Sequence, residues 1–398
     1  MLIFLANSSF SQQLFFSNST APLDEDQQEV LDRVYGSGLY DSYQLIDVST
    51  LANSLQNRAL RIDLGEGCGI QTLQATTIEF VSESNYFIYA EFEDLVSCEP
   101  CDRGWLMFEV KDGEKFGTLK LSGNVYQIED LGGRNVLLQQ QPAESNPPEG
   151  GRIGPKSIET TASEMPDLSG LSGMKTQMGN CDVRVLFLFT EAASNQLADV
   201  AHQARRYIAI ANIALANSGI NASQLRFVLA EALTHNGVNE TNQTIENSLS
   251  GVRNDFSAQT LRNTHDADIV CLVTDHTIAN YGLATDGAYS GTNGAPAANN
   301  NAYSMMRLAN SIDQYYFPNV AGRNLGCGYE VGPNTSTNVN YPYQFIYTTG
   351  WFLCQETHQA RTLMWSYYAE DMILHYSNPN VDYKGEATGT ALDNNASI

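Results

Sequence analysis

Polar residues near the middle of the stretch 315–330 stand at spacings that could build a metal site. Two imidazoles four residues apart lie on one face of a helix and can bind one zinc ion. A glutamate directly after the first imidazole can take the proton from the zinc-bound water. On this spacing Asn319 holds the first ligand position, Val320 the general-base position and Arg323 the second ligand position. Gly326 holds the position of a turn glycine, and Tyr329 the third ligand position.

The side chains at these positions are unsuited to zinc chemistry. Asparagine is a poor zinc ligand, and Val320 cannot move a proton. Arg323 stays protonated and would place a positive charge where the metal should bind. Tyr329 could bind well only as a phenolate, which its ordinary pKa of about 10 disfavours. We therefore expect no zinc and no catalytic residue at this site.

Three segments of the chain resemble the metzincin zinc peptidases, and in particular the reprolysin-like (adamalysin-type) family of secreted bacterial peptidases. The first segment consists of the residues that lie among and directly after the ligand positions. The second is the stretch 362–367 around Met364, which is similar to a methionine turn. The third is the stretch 376–381, which follows that turn. The filler residues that carry the resemblance are Gly322, Asn324, Leu325, Gly326 and Gly328. The resemblance covers roughly residues 181–398.

The resemblance implies an α+β fold. It would consist of a metzincin-like catalytic domain, with a mixed sheet and helices, preceded by a β-rich propeptide-like domain. The corresponding boundaries are a remnant signal segment at 1–19, a β-rich domain at 20–140, a linker at 141–180 and a peptidase-like domain at 181–398. Zinc is the cofactor expected for the family, but the replaced ligands predict none in this chain.

The second half of the chain must position the site, and its pattern is that of alternating strands and helices. Nearly continuous apolar runs predict strands at 183–189, 224–229 and 268–273. Helical spacing predicts a helix from 197 to 215, ended by Gly219, and a second helix at 244–264. Residues 281–300 are rich in glycine, alanine and asparagine and predict a long loop. The stretch 302–306 would then be the edge strand that lines the cleft.

The first half reads as a β-rich region. The runs 104–110 and 116–121, joined by a turn at 111–113, predict a hairpin, and 125–128 predicts the next strand. Residues 141–180 are rich in small and polar residues, which is typical of a linker that proteases can reach. This order resembles the propeptide-like domain of the same peptidases.

Two structural details concern the site itself. Pro318 cannot donate a backbone hydrogen bond, so the site helix should begin near it or kink there. The chain has seven cysteines, an odd number, so at least one has no partner within the chain. Because the resemblance places Cys327 and Cys354 close to the cleft, they are the favoured disulfide pair.

The composition of the chain disfavours some classes of binding partner. With 45 acidic and 21 basic residues the formal net charge is −24, which disfavours nucleic acid and anionic membranes as partners. No apolar run approaches the length of a membrane span. The first twelve residues resemble the back half of a secretory signal, which indicates a secreted or periplasmic protein.

Three functions remain open from the sequence. The first is a catalytically inactive metzincin-like peptidase homologue that binds an extended peptide along the strand at 302–306. The second is an active peptidase with a rearranged metal or nucleophile, although no two of its six histidines are four residues apart. The third is a decaying gene product with no selected role.

Overall fold

The computed structural model divides the chain into two compact units, Met1–Gln141 and Pro142–Ile398. It describes residues 15–49, 58–63, 70–92, 104–121, 124–141, 182–238, 240, 245–275, 282–284, 302–309, 311, 315–325, 352–353, 360–364, 371–383 and 385–389. The predicted linker at 141–180 lies outside these residues except for Gln141. The predicted domain boundaries therefore stay a prediction.

The first unit is a closed barrel of nine strands in the order β1-β2-β9-β8-β7-β6-β5-β4-β3. The strands are β1 (Phe16–Asn18), β2 (Tyr40–Val48), β3 (Ala59–Asp63), β4 (Ile70–Ser82), β5 (Asn85–Phe92), β6 (Gly104–Lys111), β7 (Glu114–Leu121), β8 (Asn124–Asp130) and β9 (Asn135–Gln140). The predicted hairpin is confirmed, since β6 pairs antiparallel with β7 from Gly104↔Leu121 to Lys111↔Glu114. The turn between them has positive φ at Asp112 and Gly113.

The shortest strand closes the barrel. Strand β1 pairs antiparallel with β2 and parallel with β3, which brings the two ends of the sheet together. Phe15 and Phe16 are buried inside, with ring centroids 5.2 and 5.5 Å from that of Phe108. Residues 16–18, which the sequence analysis assigned to a signal segment, are thus part of the barrel. The side chain of Phe16 lies in its core.

The expectation of an α+β, metzincin-like fold is wrong. The chain contains a closed nine-stranded barrel, and its described residues form nineteen strands against six helices. The prediction failed because it weighed the alternating strands and helices after residue 183 and treated the first half as an accessory β-rich domain. Consecutive antiparallel hairpins need only short turns, and here they continue until the sheet closes on itself.

The second unit is built on a five-stranded sheet with the order β11-β10-β12-β14-β13. Its strands are β10 (Asp182–Phe189), β11 (Arg226–Thr234), β12 (Ile269–Thr274), β13 (Gly282–Ala284) and β14 (Tyr303–Arg307). Strands β11, β12 and β14 join the sheet in parallel, whereas β13 is antiparallel to β14. Strand β12 is buried over its whole length, in agreement with its continuous apolar run. The strands predicted at 183–189, 224–229 and 268–273 are confirmed.

The prediction of an edge strand at 302–306 is wrong. Strand β14 pairs with β12 on one side, and its residues 304–306 pair with β13 on the other. The edge of the sheet is β13, which lies within the stretch 281–300 that was predicted as a loop. Its sequence Gly-Leu-Ala is too short and too small in side chains to show an alternating pattern.

Helices cover the sheet and connect its strands. The helices in the described residues are α1 (Glu25–Tyr35), α2 (Glu191–Ser194), α3 (Val200–Asn217), α4 (Ile245–Asn254), α5 (Phe256–Thr264) and α6 (Tyr316–Asn324). The helix predicted at 244–264 is two helices, because Asp255 interrupts it and caps α5 by accepting a hydrogen bond from the Ser257 N–H. Gly219 ends α3 with a positive φ of 85°, as predicted. None of the described helices is long and apolar enough to cross a membrane.

A helix side chain covers part of the outer edge at β11. The amide of Asn212, on α3, donates from Nδ2 to the Phe227 carbonyl at 2.9 Å and accepts the Phe227 N–H at 2.8 Å. One side chain therefore satisfies both backbone groups of Phe227, as a neighbouring strand would.

The remaining described strands have two residues each and lie near the end of the chain. They are β15 (Phe352–Leu353), β16 (Ala360–Arg361), β17 (Asp371–Met372), β18 (Asp382–Tyr383) and β19 (Glu386–Ala387). Strands β15 to β17 form one small sheet, and β18 and β19 form a hairpin. They flank residues 362–364 and 373–378, which contact the candidate site.

Candidate functional site

Helix α6 carries the candidate site, and its start follows from two residues. Tyr315 precedes it in the left-handed region (φ 50°, ψ 43°) and provides no side-chain cap. Pro318 is the third residue of the helix. Backbone N–H groups in the first turn have no intrahelical acceptor, so proline fits there without loss of a hydrogen bond. The prediction that the helix begins near Pro318 is confirmed.

One face of α6 is fixed by an aromatic cluster. The ring centroid of Phe317 lies 4.9 Å from that of Phe187 on β10 and 5.7 Å from that of Phe227 on β11. The ring of Tyr207 on α3 completes the cluster, 5.6 Å from Phe187. At the other end of the helix, Asn324 Nδ2 donates to the Tyr303 carbonyl at 3.1 Å. These contacts fix the position of α6 against the sheet.

Another face of α6 contacts residues 362–364. Asn319 Nδ2 donates to the Leu363 carbonyl at 2.6 Å. Gly322 lies against Met364 so closely that a Cβ at this position would be 2.8 Å from Met364 Sδ and 3.0 Å from Tyr376 Cε1. Only glycine allows this approach without movement of the neighbours.

The stretch 373–378 also contacts helix α6 and residue Leu363. The hydroxyl of Tyr376 donates to the Pro318 carbonyl at 2.8 Å, and the Leu363 N–H donates to the His375 carbonyl at 2.9 Å. We call the contacts among Pro318, Asn319, Gly322, Leu363, Met364, His375 and Tyr376 the clasp. The clasp is a continuous set of contacts from helix α6 through 363–364 to 375–376.

The end of helix α3 anchors the clasp. Ser218 Oγ accepts the Tyr376 N–H at 2.7 Å, and Asn217 Nδ2 donates to the Leu374 carbonyl at 3.2 Å. Asn378 Nδ2 donates to the Ser218 carbonyl at 2.8 Å. The sequence analysis identified 376–381 as a segment near the site but missed Asn217 and Ser218. Their only signal is a polar pair directly before the helix-ending Gly219.

The structure brings some of the predicted site residues together. Asn319 is half-buried, Val320 and Pro318 are buried, and Arg323 is only 3% exposed. Met364 is fully buried at the clasp. The other predicted positions, Gly326 and Tyr329 and the proposed disulfide pair Cys327 and Cys354, lie outside the described residues. The roles predicted for these four residues therefore stay predictions.

The chemistry available at the clasp is that of neutral hydrogen bonds and one cation. The Asn319 amide uses its donor group on a backbone carbonyl, Val320 has no polar atom, and Arg323 brings a buried positive charge. Among the described residues no group of three or more His, Cys, Asp or Glu side chains could hold a metal ion. A general base and a metal site are therefore not assembled by the described part of this helix.

Two other titratable pairs lie near the carboxyl ends of the sheet strands. Burial, with a smaller contribution from the Asp275 carboxylate, raises the pKa of Glu240 to about 7, although the hydrogen bond from the Asp275 N–H opposes the shift. His235 Nε2 lies 2.6 Å from Asp255 Oδ2, and the Ser257 hydroxyl also donates to Asp255. Since His235 and Ser257 both bond to the carboxylate, the group caps α5 and does not form the serine–histidine contact of a triad.

Comparisons with known proteins give distant likenesses in structure. No protein-family profile matches the chain, and no curated protein matches it. One chain from a solved chaperone–substrate complex is 15% identical, with a TM-score of 0.42 over 71% of this chain and 36% of the other. This chain thus spans about a third of the length of that one. Metalloproteinase-II from Bacteroides fragilis is 11% identical, with a TM-score of 0.45 over 82% of this chain and 90% of the other. A structural neighbour is therefore a metalloproteinase, at a similarity too low to define the fold or activity of this chain.

Proposed function

We propose that this chain is an exported metallopeptidase-like protein that has lost its zinc and its hydrolytic activity. The observation that carries the proposal is the hydrogen bond from Asn319 Nδ2 to the Leu363 carbonyl. In the zinc-site spacing Asn319 stands at the first ligand position. Here its side chain is a structural donor instead of a metal ligand.

The burial of Arg323 supports the same proposal. A guanidinium keeps its proton under all physiological conditions, so it cannot offer a lone pair to a metal. At 3% exposure its charge is poorly screened by water. A zinc ion on the same helix face would be repelled. Val320, one residue after Asn319, leaves the site without a proton acceptor at the base position.

The binding capacity that we propose for this domain is at the edge strand β13. Residues 282–284 pair with β14 on one side, and within the described residues β13 is the last strand of its sheet. An extended peptide could add to its outer edge through backbone hydrogen bonds, with affinity that depends little on side chains. This proposal replaces the strand at 302–306, whose two edges are already paired.

The first test is the metal content of the purified full-length chain. We expect far less than one equivalent of zinc by elemental analysis after dialysis against buffer with trace zinc. We also expect no chelator-sensitive cleavage of a mixed peptide library. One equivalent of bound zinc, lost in Asn319→Ala, would contradict the proposal. Cleavage without metal would instead favour an enzyme with a rearranged nucleophile.

The second test restores two of the missing groups. We expect that the double variant Asn319→His with Val320→Glu gains no peptide hydrolysis, because Arg323 still places its charge beside the metal position. Removing the Asn319 amide also takes a donor from the Leu363 carbonyl, so the double variant should be less stable than Val320→Glu alone by about 1 kcal/mol. Activity assays with added zinc and a denaturation curve measure both effects. The single variant Val320→Glu, which keeps Asn319, is the matched control, and zinc-dependent cleavage by the double variant would sink the proposal.

A further inference from the structure

The side chain of His375 lies inside the clasp without the partner that a buried imidazole requires. The residue is only 9% exposed, and its Nδ1 is fully buried with no hydrogen-bond partner in the described part of the chain. Its ring packs edge-on against Tyr383, with centroids 5.3 Å apart. A neutral imidazole tolerates this environment, but an imidazolium would be a buried charge without a counter-ion.

The backbone of His375 connects this ring to the site helix. Its carbonyl accepts the Leu363 N–H, and the Leu363 carbonyl accepts the Asn319 amide. A movement of the segment 373–378 that brought the ring to water would break the first of these bonds and loosen the second. Two hydrogen bonds therefore connect the segment that carries the His375 imidazole to helix α6.

Among the described residues, the groups that face this region offer no compensation for a charge on the ring. On the α3 side they are Asn217 and Ser218, which are neutral, and on the hairpin side Tyr383 is neutral as well. Asp382, next to Tyr383, is exposed, and helix α6 carries the buried cation Arg323. Burial accordingly lowers the pKa of His375 to about 4.

We propose that the clasp is a pH-sensitive latch, in which protonation of His375 releases residues 373–378 from residues 363–364 and frees one side of helix α6. The latch is closed when the imidazole is neutral. Acid favours the open form because His375 binds a proton more readily in water than in the closed clasp. The proposal is independent of whether the site hydrolyses peptides, since no step of it involves catalysis.

The direction of the pH dependence follows from the two states of the ring. In the open form the histidine has its ordinary pKa near 6.5, and in the closed form the pKa is about 4. The closed form is therefore fully favoured above pH 6.5 and loses stability as the pH falls from 6.5 towards 4. Between pH 7 and pH 4.5 the opening equilibrium should rise by roughly 50-fold.

Hydrogen exchange of the full-length chain, read by mass spectrometry, measures this opening. After correction for the intrinsic pH dependence of exchange, peptides spanning 360–378 should lose protection by roughly 50-fold between pH 7 and pH 4.5. Peptides from strand β12 should change far less. In His375→Gln, which cannot take up a proton, the pH effect on 360–378 should vanish. His265→Gln, at the end of α5, is the control and should behave like the wild type.

The outcomes separate clearly. Unchanged protection of 360–378 in the wild-type chain would overturn the proposal, as would an equal loss throughout the second unit. A pH effect that persists in His375→Gln would also overturn it. If that variant does not fold, the wild-type comparison between 360–378 and β12 still decides. A zinc-containing, hydrolytic protein with the expected exchange pattern would refute the proposed function and leave the latch in place.

Discussion

Replacing Phe317 by alanine is expected to destabilise the second unit by about 4 kcal/mol. The ring is fully buried between Phe187, Phe227 and Tyr207, and its removal leaves a cavity lined by these three aromatic side chains. Because the same ring fixes helix α6 to the sheet, its loss should also raise hydrogen exchange at the clasp. Denaturant unfolding monitored by circular dichroism measures the first effect.

The chain provides a matched control for this substitution. Phe256 is the same residue type but is 81% exposed at the start of α5. Phe256→Ala removes the same atoms from a position that is already in water, so its effect should stay within about 0.5 kcal/mol. If the two variants had similar stabilities, the aromatic cluster would not be what holds α6 in place.

The second large effect is expected in the barrel, from Gly117→Ala. A Cβ at Gly117 would be 2.5 Å from the Met107 carbonyl oxygen and 3.0 Å from the Phe108 ring. The carbonyl belongs to the paired strand β6 and cannot rotate away as a side chain could, so the two strands must separate locally. We expect a loss of about 3 kcal/mol in the stability of the first unit.

Thermal unfolding of the full-length chain checks this prediction, with Glu114→Gln as the control. Glu114 lies on the same strand β7 but is exposed, so the control should unfold with the wild type. A Gly117→Ala variant as stable as the wild type would mean that β6 and β7 lie farther apart than their register indicates.

Local patterns in the sequence predict individual elements of this fold well. The hairpin at 104–121 and strand β12 were predictable because alternation and apolar runs depend only on neighbouring residues. Closure of the barrel was not predictable in this way. It depends on Phe15 and Phe16 contacting Phe108, more than ninety positions away in sequence, and both residues lie in the segment 1–19 that was predicted to be a remnant signal.

In the candidate site, too, the sequence predicted what depends on neighbouring residues and not the contacts between residues far apart in the chain. Spacing alone identified Asn319 and Arg323 as residues of interest, because side chains four apart share a helix face. Spacing could not predict that the Asn319 amide bonds to the Leu363 carbonyl. Nor could it predict that the His375 carbonyl accepts the Leu363 N–H. The first contact joins residues 44 positions apart, and both contacts use backbone groups that every residue type carries.

The Asn212 amide on helix α3 has a consequence for solubility. An open strand edge invites the same edge of another molecule, and sheets that grow in this way lead to aggregates. Strand β11 is nine residues long and, in the part of the chain that the structure describes, is the last strand on its side of the sheet. By occupying both backbone groups of Phe227, Asn212 interrupts the row of donors and acceptors that an incoming strand would need. A single side chain on a neighbouring helix thus protects part of this edge against pairing with another molecule.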